Sequence, residues 1–236
     1  MKIACIIPAA GRGLRLGSEI PKQFLMLHDK MIIEYAIRSL IDGLMHCGIH
    51  HISLIISCDS ERIADLESIC SHYLPPSTFA CVPGGKERKD SIANAMQIAL
   101  AKDSDKVIIH DAARPFIPRE VIDRLIEASK QYSCVIPILP VSDTLKKIEG
   151  EHILETCDRM HYALAQTPQI IDTKAYFLAL QEIENKVFTD DASIMEYAGY
   201  EVHCIRGHEM MRKITFPYDM AIAELHAFMY EQLSGA

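Results

Sequence analysis

Apolar residues along this chain fall into short unbroken runs that alternate with stretches of helical spacing. Ile3-Ala4-Cys5-Ile6-Ile7 is the first run. A strand buried on both faces reads this way, because each face of the pleat needs its own apolar set. The same pattern predicts strands at Ile52–Ser57, Phe79–Val82, Lys106–His110, Cys134–Leu139 and Glu201–Ile205. Between them, apolar positions recur at helical spacing, as at Ile33, Ala36, Ile37 and Leu40. They predict helices over Met31–Leu44, Glu61–Ser71, Lys89–Ala101, Pro118–Gln131, Thr173–Ile183, Ala192–Ala198 and Tyr218–Leu233. The punctuation agrees: Pro75-Pro76 closes one helix, Gly84-Gly85 opens another, and Pro118 sits at a first turn. Strand alternating with helix is the signature of a Rossmann-like α/β fold, an open, mostly parallel sheet with helices on both faces.

The regularity stops at Pro140. From Val141 to about Ala165 the chain is polar and has no long helical stripe. A protruding hairpin arm with its turn at Gly150 fits this stretch, and so does a mobile loop. With no internal repeat or linker, residues 1–236 read as a single domain carrying a β-arm at about 141–165.

Composition narrows the partners. At 236 residues and 49% hydrophobic content the chain can build a sizeable core. A net charge of −8 argues against a nucleic acid held by its phosphates, so any basic site must be local. The 8 cysteines are scattered without a Cys-x-x-Cys pair, and the 11 histidines lack metal-site spacing. Free thiols in a reducing cytosol are the expectation. The N-terminus enters a strand directly, with no signal or transit peptide, and no apolar run reaches the roughly 18 residues of a membrane span. A cytoplasmic protein is expected.

Candidate chemistry begins behind the first strand, in Ala9-Ala10-Gly11-Arg12-Gly13-Leu14-Arg15 and Pro21-Lys22-Gln23. Small residues bring backbone amides close to a ligand, and Arg15 and Lys22 supply fixed positive charge. This is no Walker A loop, and the dinucleotide fingerprint fails at Leu16. The glycines alone favour an ordinary tight turn; Arg15 and a Lys22 fixed by Pro21 tip the reading toward a nucleoside triphosphate. His110-Asp111-Ala112-Ala113-Arg114-Pro115 follows a strand, where an aspartate can bind a ribose or substrate hydroxyl or hold Mg²⁺. Alone, Asp111 serves equally as a cap or turn residue. Gly84-Gly85-Lys86-Glu87-Arg88-Lys89-Asp90-Ser91 opens a helix, whose amides and serine hydroxyl suit a base edge or a plain helix start.

These strings occur in order with Asp143-Thr144-Leu145-Lys146, Asp158-Arg159, Thr167-Pro168-Gln169, Thr189-Asp190-Asp191-Ala192-Ser193 and Lys213-Ile214-Thr215-Phe216-Pro217. Together, from Ala9 to about Glu224, they resemble the 2-C-methyl-D-erythritol 4-phosphate cytidylyltransferase family of the non-mevalonate isoprenoid pathway. The resemblance implies CMP transfer from CTP to the methylerythritol phosphate by in-line attack on the α-phosphorus. It implies that Arg15, Lys22, Arg159 and Lys213 supply catalytic charge. Ala9, Ala10, Gly11, Gly13, Gly85, Arg88, Ser91, Asp111 and Ala112 would bind the nucleotide. Asp111, Arg114, Thr144, Arg159, Thr167, Thr189 and Lys213 would bind the sugar phosphate. Mg²⁺ or another divalent cation would be held mainly by the CTP phosphates, with no certain protein ligand. A homodimer is implied, in which the arm carries Thr144 and Arg159 into the partner's site. Thr189 also reads as a helix N-cap.

Two departures stand out. Met211 replaces the family's usual asparagine, and Arg212 an apolar residue, which puts the support of Lys213 in question. The nearest alternative is a ribitol 5-phosphate cytidylyltransferase. Members with that activity tend to open Ala-Gly-Gly and to carry His-Asp-Ala-Val-Arg-Pro, unlike this chain. A regulatory module that has lost turnover would show a broken charge set, and this set is whole.

Overall fold

The structure, a computed structural model, describes residues 1–11, 20–85, 87–183 and 186–234. The chain opens with β1 (Ile3–Pro8), a small hairpin of β2 (Met26–Leu27) and β3 (Lys30–Met31), α1 (Ile32–His46), β4 (Ile52–Cys58), α2 (Ile63–Ser71) and β5 (Phe79–Pro83). It continues through α3 (Arg88–Ala101), β6 (Lys106–Ile109), α4 (Arg119–Ser129), β7 (Cys134–Pro140), β8 (Lys146–Glu149) and β9 (His152–Thr156). β10 (Ala163–Ala165), β11 (Gln169–Asp172), α5 (Thr173–Glu182), α6 (Asp191–Tyr197), β12 (His203–Arg206) and α7 (Pro217–Ser234) complete it.

The first apolar run sets the layers. Ile3 to Ile7 are fully buried, and their alternation feeds two cores. Ile3, Cys5 and Ile7 pack with α1, α2 and α4 on one face. Ala4 and Ile6 pack with α3, α5 and α6 on the other. Burying an isoleucine contributes roughly 1.5–3 kcal/mol, so a strand apolar on both faces is anchored from both sides. A third cluster seats α7 on Leu27, Tyr35 and Phe116.

β5, β4, β1 and β6 run parallel in that order, as the alternation predicts. Beyond β6 the sheet departs from the pattern. β11 lies antiparallel between β6 and β7, and β10 pairs antiparallel with the far end of β7. β12 runs parallel on the opposite edge of β7. Successive β7 carbonyls show the two edges: that of Pro137 accepts from Gln166 N–H, and that of Ile138 from Gly207 N–H. Strand β11 is not visible in the pattern, because Gln169-Ile170-Ile171-Asp172 is short and directly abuts a helix. β10 also corrects the limits expected for the arm, since Ala163–Ala165 belong to the main sheet. The arm proper is the β8–β9 hairpin, a two-stranded sheet of its own, with Gly150 and Glu151 at its turn.

Helices α1 and α4 approach closely at Gly43. A Cβ there would fall 2.8 Å from Ile122 Cγ1, deep in the same core. Gly43→Val is therefore expected to overpack this contact and lower the unfolding free energy by about 1–3 kcal/mol. Urea unfolding should show a lower midpoint at unchanged slope.

Candidate active site

Three segments leave the carboxyl edge of the sheet: the loop after β1, the turn between β5 and α3, and the loop after β6. Open α/β sheets bind ligands at this edge. With Lys213 they enclose a cleft of about 290 Å³. Ala10, Gly11 and Lys22 line one side, Gly85, Arg88 and Ser91 another, and Asp111 and Ala112 the third.

Each wall has a local cause. Gln23 is buried, and its Nε2 donates to the carbonyls of Ala9 (2.5 Å) and Gly11 (2.9 Å), which fixes the loop after β1. Pro21 holds the chain extended ahead of the turn at Lys22–Phe24, and Lys22 Nζ donates to the Ile214 carbonyl at 2.7 Å. At Gly85 a Cβ would lie 2.1 Å from Asp90 Cβ, so only glycine brings the chain this close to the start of α3. Gly85 N–H donates to Ser91 Oγ (2.9 Å), and Glu87 N–H to Asp90 Oδ2 (3.0 Å).

Asp111 is the hub. Its side chain is 13% exposed; Lys213 Nζ reaches Oδ2 at 2.8 Å and Arg114 Nε at 3.3 Å. Burial pushes this carboxyl up, but Lys213, Arg114 and Arg88 together overcome it and hold it well below the usual carboxylate range. Behind it, the imidazole of fully buried His110 is bonded at both nitrogens. Nε2 donates to the Arg114 carbonyl (2.9 Å), so Nδ1 accepts from the Thr167 hydroxyl (3.1 Å). Thr167 Oγ1 in turn accepts the Asp111 N–H (3.0 Å). Burial depresses this imidazole to about 4.

On the opposite wall, Arg88 meets Asp191 through two bonds, Nη1 to Oδ1 at 3.0 Å and Nη2 to Oδ2 at 2.6 Å. Burial works against the guanidinium charge, and Asp191 more than restores it, raising Arg88 above its ordinary range. The cleft thus presents cations whose places are fixed by bonds to the protein. It can hold a polyanion.

The expected site residues do not all converge. Ala9 is buried behind the cleft, its carbonyl taken by Gln23. Arg114 spends its guanidinium on Asp111 and on the Met211 carbonyl (2.7 Å). Thr167 is buried in the His110 network. Thr144 and Arg159 are exposed at the base of the arm, away from the lining, with Arg159 Nη1 donating to the Ser142 carbonyl. Thr189 is exposed and does not cap α6: Asp190 does, accepting from Ser193 N–H at 3.1 Å. The helix starts one residue later than a Thr189 cap requires, which puts the Asp190 carboxylate in reach of its third amide. Gly13 and Arg15 lie outside the described residues. Lys213 keeps its place despite its altered neighbours. Met211 is fully buried and acts through its carbonyl, and Arg212 Nε donates to Asp219 Oδ1 (2.8 Å).

Sequence reasoning gave Gln23, His110, Gln169, Asp191 and Asp219 no role of their own. Gln23, His110, Gln169 and Asp191 nevertheless stand inside the motifs. Their work is to bond other site segments, which spacing along one segment does not reveal.

Fold and cleft together are those of an α/β nucleotidyltransferase. The family model described as "IspD: 2-C-methyl-D-erythritol 4-phosphate cytidylyltransferase" matches residues 3–229. The chain belongs to this family. It is 35% identical over 234 residues to the 2-C-methyl-D-erythritol 4-phosphate cytidylyltransferase of Streptomyces avermitilis, covering 94% of this chain and 90% of the relative. The solved Thermus thermophilus enzyme of the same name matches with a TM-score of 0.75 and 28% identity, covering 96% of this chain and 99% of that one. The bifunctional IspDF from Campylobacter jejuni matches with a TM-score of 0.77 and 28% identity over 94% of this chain, which spans 54% of that longer protein.

His110 supplies a pH test. Its imidazole charges near 6.5 when unfolded but only near 4 when folded. The unfolded state therefore binds the extra proton, and stability complete above pH 6.5 is lost as pH falls toward 4. From this group the unfolding free energy should drop by up to about 1.4 kcal/mol per pH unit across that window. Urea unfolding of His110→Gln at matched pH values should lack that component; parallel slopes would contradict it.

Proposed function

We propose that the protein transfers CMP from CTP to 2-C-methyl-D-erythritol 4-phosphate, giving 4-diphosphocytidyl-2-C-methyl-D-erythritol and pyrophosphate. The observation that carries this reading is the cleft itself, where Lys22 and Lys213 are held in place by bonds to the protein at the carboxyl edge of the sheet. A phosphate oxygen of the sugar phosphate forms the new bond to the α-phosphorus, and the bond to the pyrophosphate oxygen breaks in line. The nucleophile is already an anion, so no strong base is needed. His110 fits that view, being bonded at both nitrogens and turned to structure. The barrier is repulsion between polyanions, which positioning and fixed charge lower. Lys22, with Arg15 by family resemblance, would neutralise the triphosphate, and Lys213 the sugar phosphate.

A divalent cation fits this donor set as part of the nucleotide. Among the described residues no three ligating side chains converge on a metal position. Asp111 lines the cleft, and its Oδ2 is shared by Lys213 and Arg114. Bound to the triphosphate, Mg²⁺ would offset charge on its oxygens.

The arm supports a homodimer. Ile148, Ile153 and Leu154 are 64%, 65% and 53% exposed on a hairpin that forms a two-stranded sheet of its own. Thr144 and Arg159 stand apart from their own chain's cleft, and a partner's cleft would give them a use. Among the described residues no helix is long and apolar enough to cross a membrane, and all eight cysteines are free thiols. Both features suit the cytoplasm.

The test is pyrophosphate release with CTP and Mg²⁺, run in parallel on methylerythritol 4-phosphate and ribitol 5-phosphate. Release with the first alone is expected; preference for the second would overturn the substrate. In this assay Lys22→Ala should lower kcat by about 10²-fold or more while the KM for CTP changes far less, because its charge is needed most at the transition state. The paired change Ile148→Asp and Ile153→Asp should shift sedimentation from dimer to monomer. Turnover should then fall by at least about tenfold, while CTP binding stays within about twofold.

A further inference from the structure

Asp191 is a carboxylate with no solvent exposure and no part in the transfer just described. A buried charge is costly unless it is fully paired. Asp191 is paired twice, with the Arg88 guanidinium and with the hydroxyl of fully buried Tyr176 on α5, which donates to Oδ1 at 2.5 Å. Its backbone is fixed from behind. Gln169 Nε2 donates to Asp190 Oδ2 (3.0 Å), and Gln169 Oε1 accepts the Ala192 N–H (2.9 Å). The other end of the pair is open: the Arg88 side chain is 37% exposed and lines the cleft. A guanidinium has five N–H donors, and the pair uses two of them. An apolar replacement for a buried ion pair is often at least as stable, so stability gives little reason to keep one here.

We propose that Asp191 is a positioning residue for nucleotide binding: clamped by Tyr176, it fixes the plane of the Arg88 guanidinium so that the remaining donors serve the incoming nucleotide. This rests on the reading of the cleft as the CTP site.

The experiment is a double-mutant cycle on the full chain. Binding of CTP, UTP and ATP is measured by calorimetry, and steady-state kinetics are run beside it. Asp191→Asn should weaken CTP binding about tenfold, the worth of one charge-assisted contact, with kcat within about twofold. Combined with Arg88→Ala it should bind no more weakly than Arg88→Ala alone, since the two act through one group. Tyr176→Phe, which keeps the ring and loses only the clamp, should weaken binding by about two- to threefold in the same direction. Additive losses, or equal falls in kcat and affinity, would overturn the proposal. Should Asp191→Asn fail to fold, the cycle of Tyr176→Phe with Arg88→Ala decides by the same criterion. A wild-type protein that prefers UTP or ATP would refute the cytidylyl reading, and the cycle run with that nucleotide would still decide the role of Asp191.

Discussion

The cleft depends on the contact between Asp111 and Lys213. A site for a polyanion must gather like charges before the polyanion arrives, and without an anion among them they would repel one another. Asp111 supplies that anion at 2.8 Å from Lys213, with Arg114 on the same oxygen. The arrangement contributes little net stability, because partly desolvating three charged groups offsets their attraction. What it secures is geometry. Arg114 also grips the Met211 carbonyl, and Ile214 N–H bonds the Ala113 carbonyl, so the Lys213 segment is fastened to the loop after β6. Lys22 then docks on the Ile214 carbonyl and brings the first loop into register with the last.

The departure from a purely parallel sheet makes room for this hub. β10 and β11 both lie against β7, but β11 alone reaches β6. Between them stand Gln166, Thr167 and Pro168, level with the end of β6, where His110 and Asp111 emerge. Thr167 ties the interruption to that end through the Asp111 N–H and the His110 ring. Gln166 ties it to the other edge by exchanging two bonds with the His208 backbone. An unbroken strand would have paired these amides into the ladder and left nothing to hold the loop. The neutral His110 is therefore a structural acceptor and donor, and its burial keeps it so.

How much of this was legible follows from which interactions are local. Strand β1, the helices and the small-residue loops announce themselves through periodicity and turn chemistry, which act within a dozen residues. The cations of the cleft, Lys22, Arg88 and Lys213, were visible because each sits near a proline, glycine or threonine signal. β11 was hidden because two apolar residues between Gln169 and Asp172 carry no period. The capping role fell to Asp190 instead of Thr189 through a choice between adjacent competent caps, which sequence order does not decide. Gln169 and Asp191 were invisible as working residues because their partners lie across the fold, and no spacing rule links Arg88 to Asp191.

The residues beside Lys213 show how its segment is held in this chain. By resemblance an asparagine is usual at position 211; here Met211 is fully buried, and its main-chain carbonyl accepts from Arg114. A backbone carbonyl is present whatever the side chain, so this link does not depend on the residue type, and the methionine is free to fill the core beneath it. Arg212 does the reverse. Placed where an apolar residue is usual, it turns outward to Asp219, a buried carboxylate that also accepts the Thr215 and Phe216 N–H groups at the start of α7. Asp219 thereby joins the first turn of the last helix to the segment carrying Lys213. Burial works to raise its carboxyl, and those backbone bonds with Arg212 hold it below the usual range, so it stays ionised and able to accept. Lys213 is positioned from both flanks by groups that need not be the family's own, because the requirement at this point is a fixed backbone and any side chains that fix it will serve.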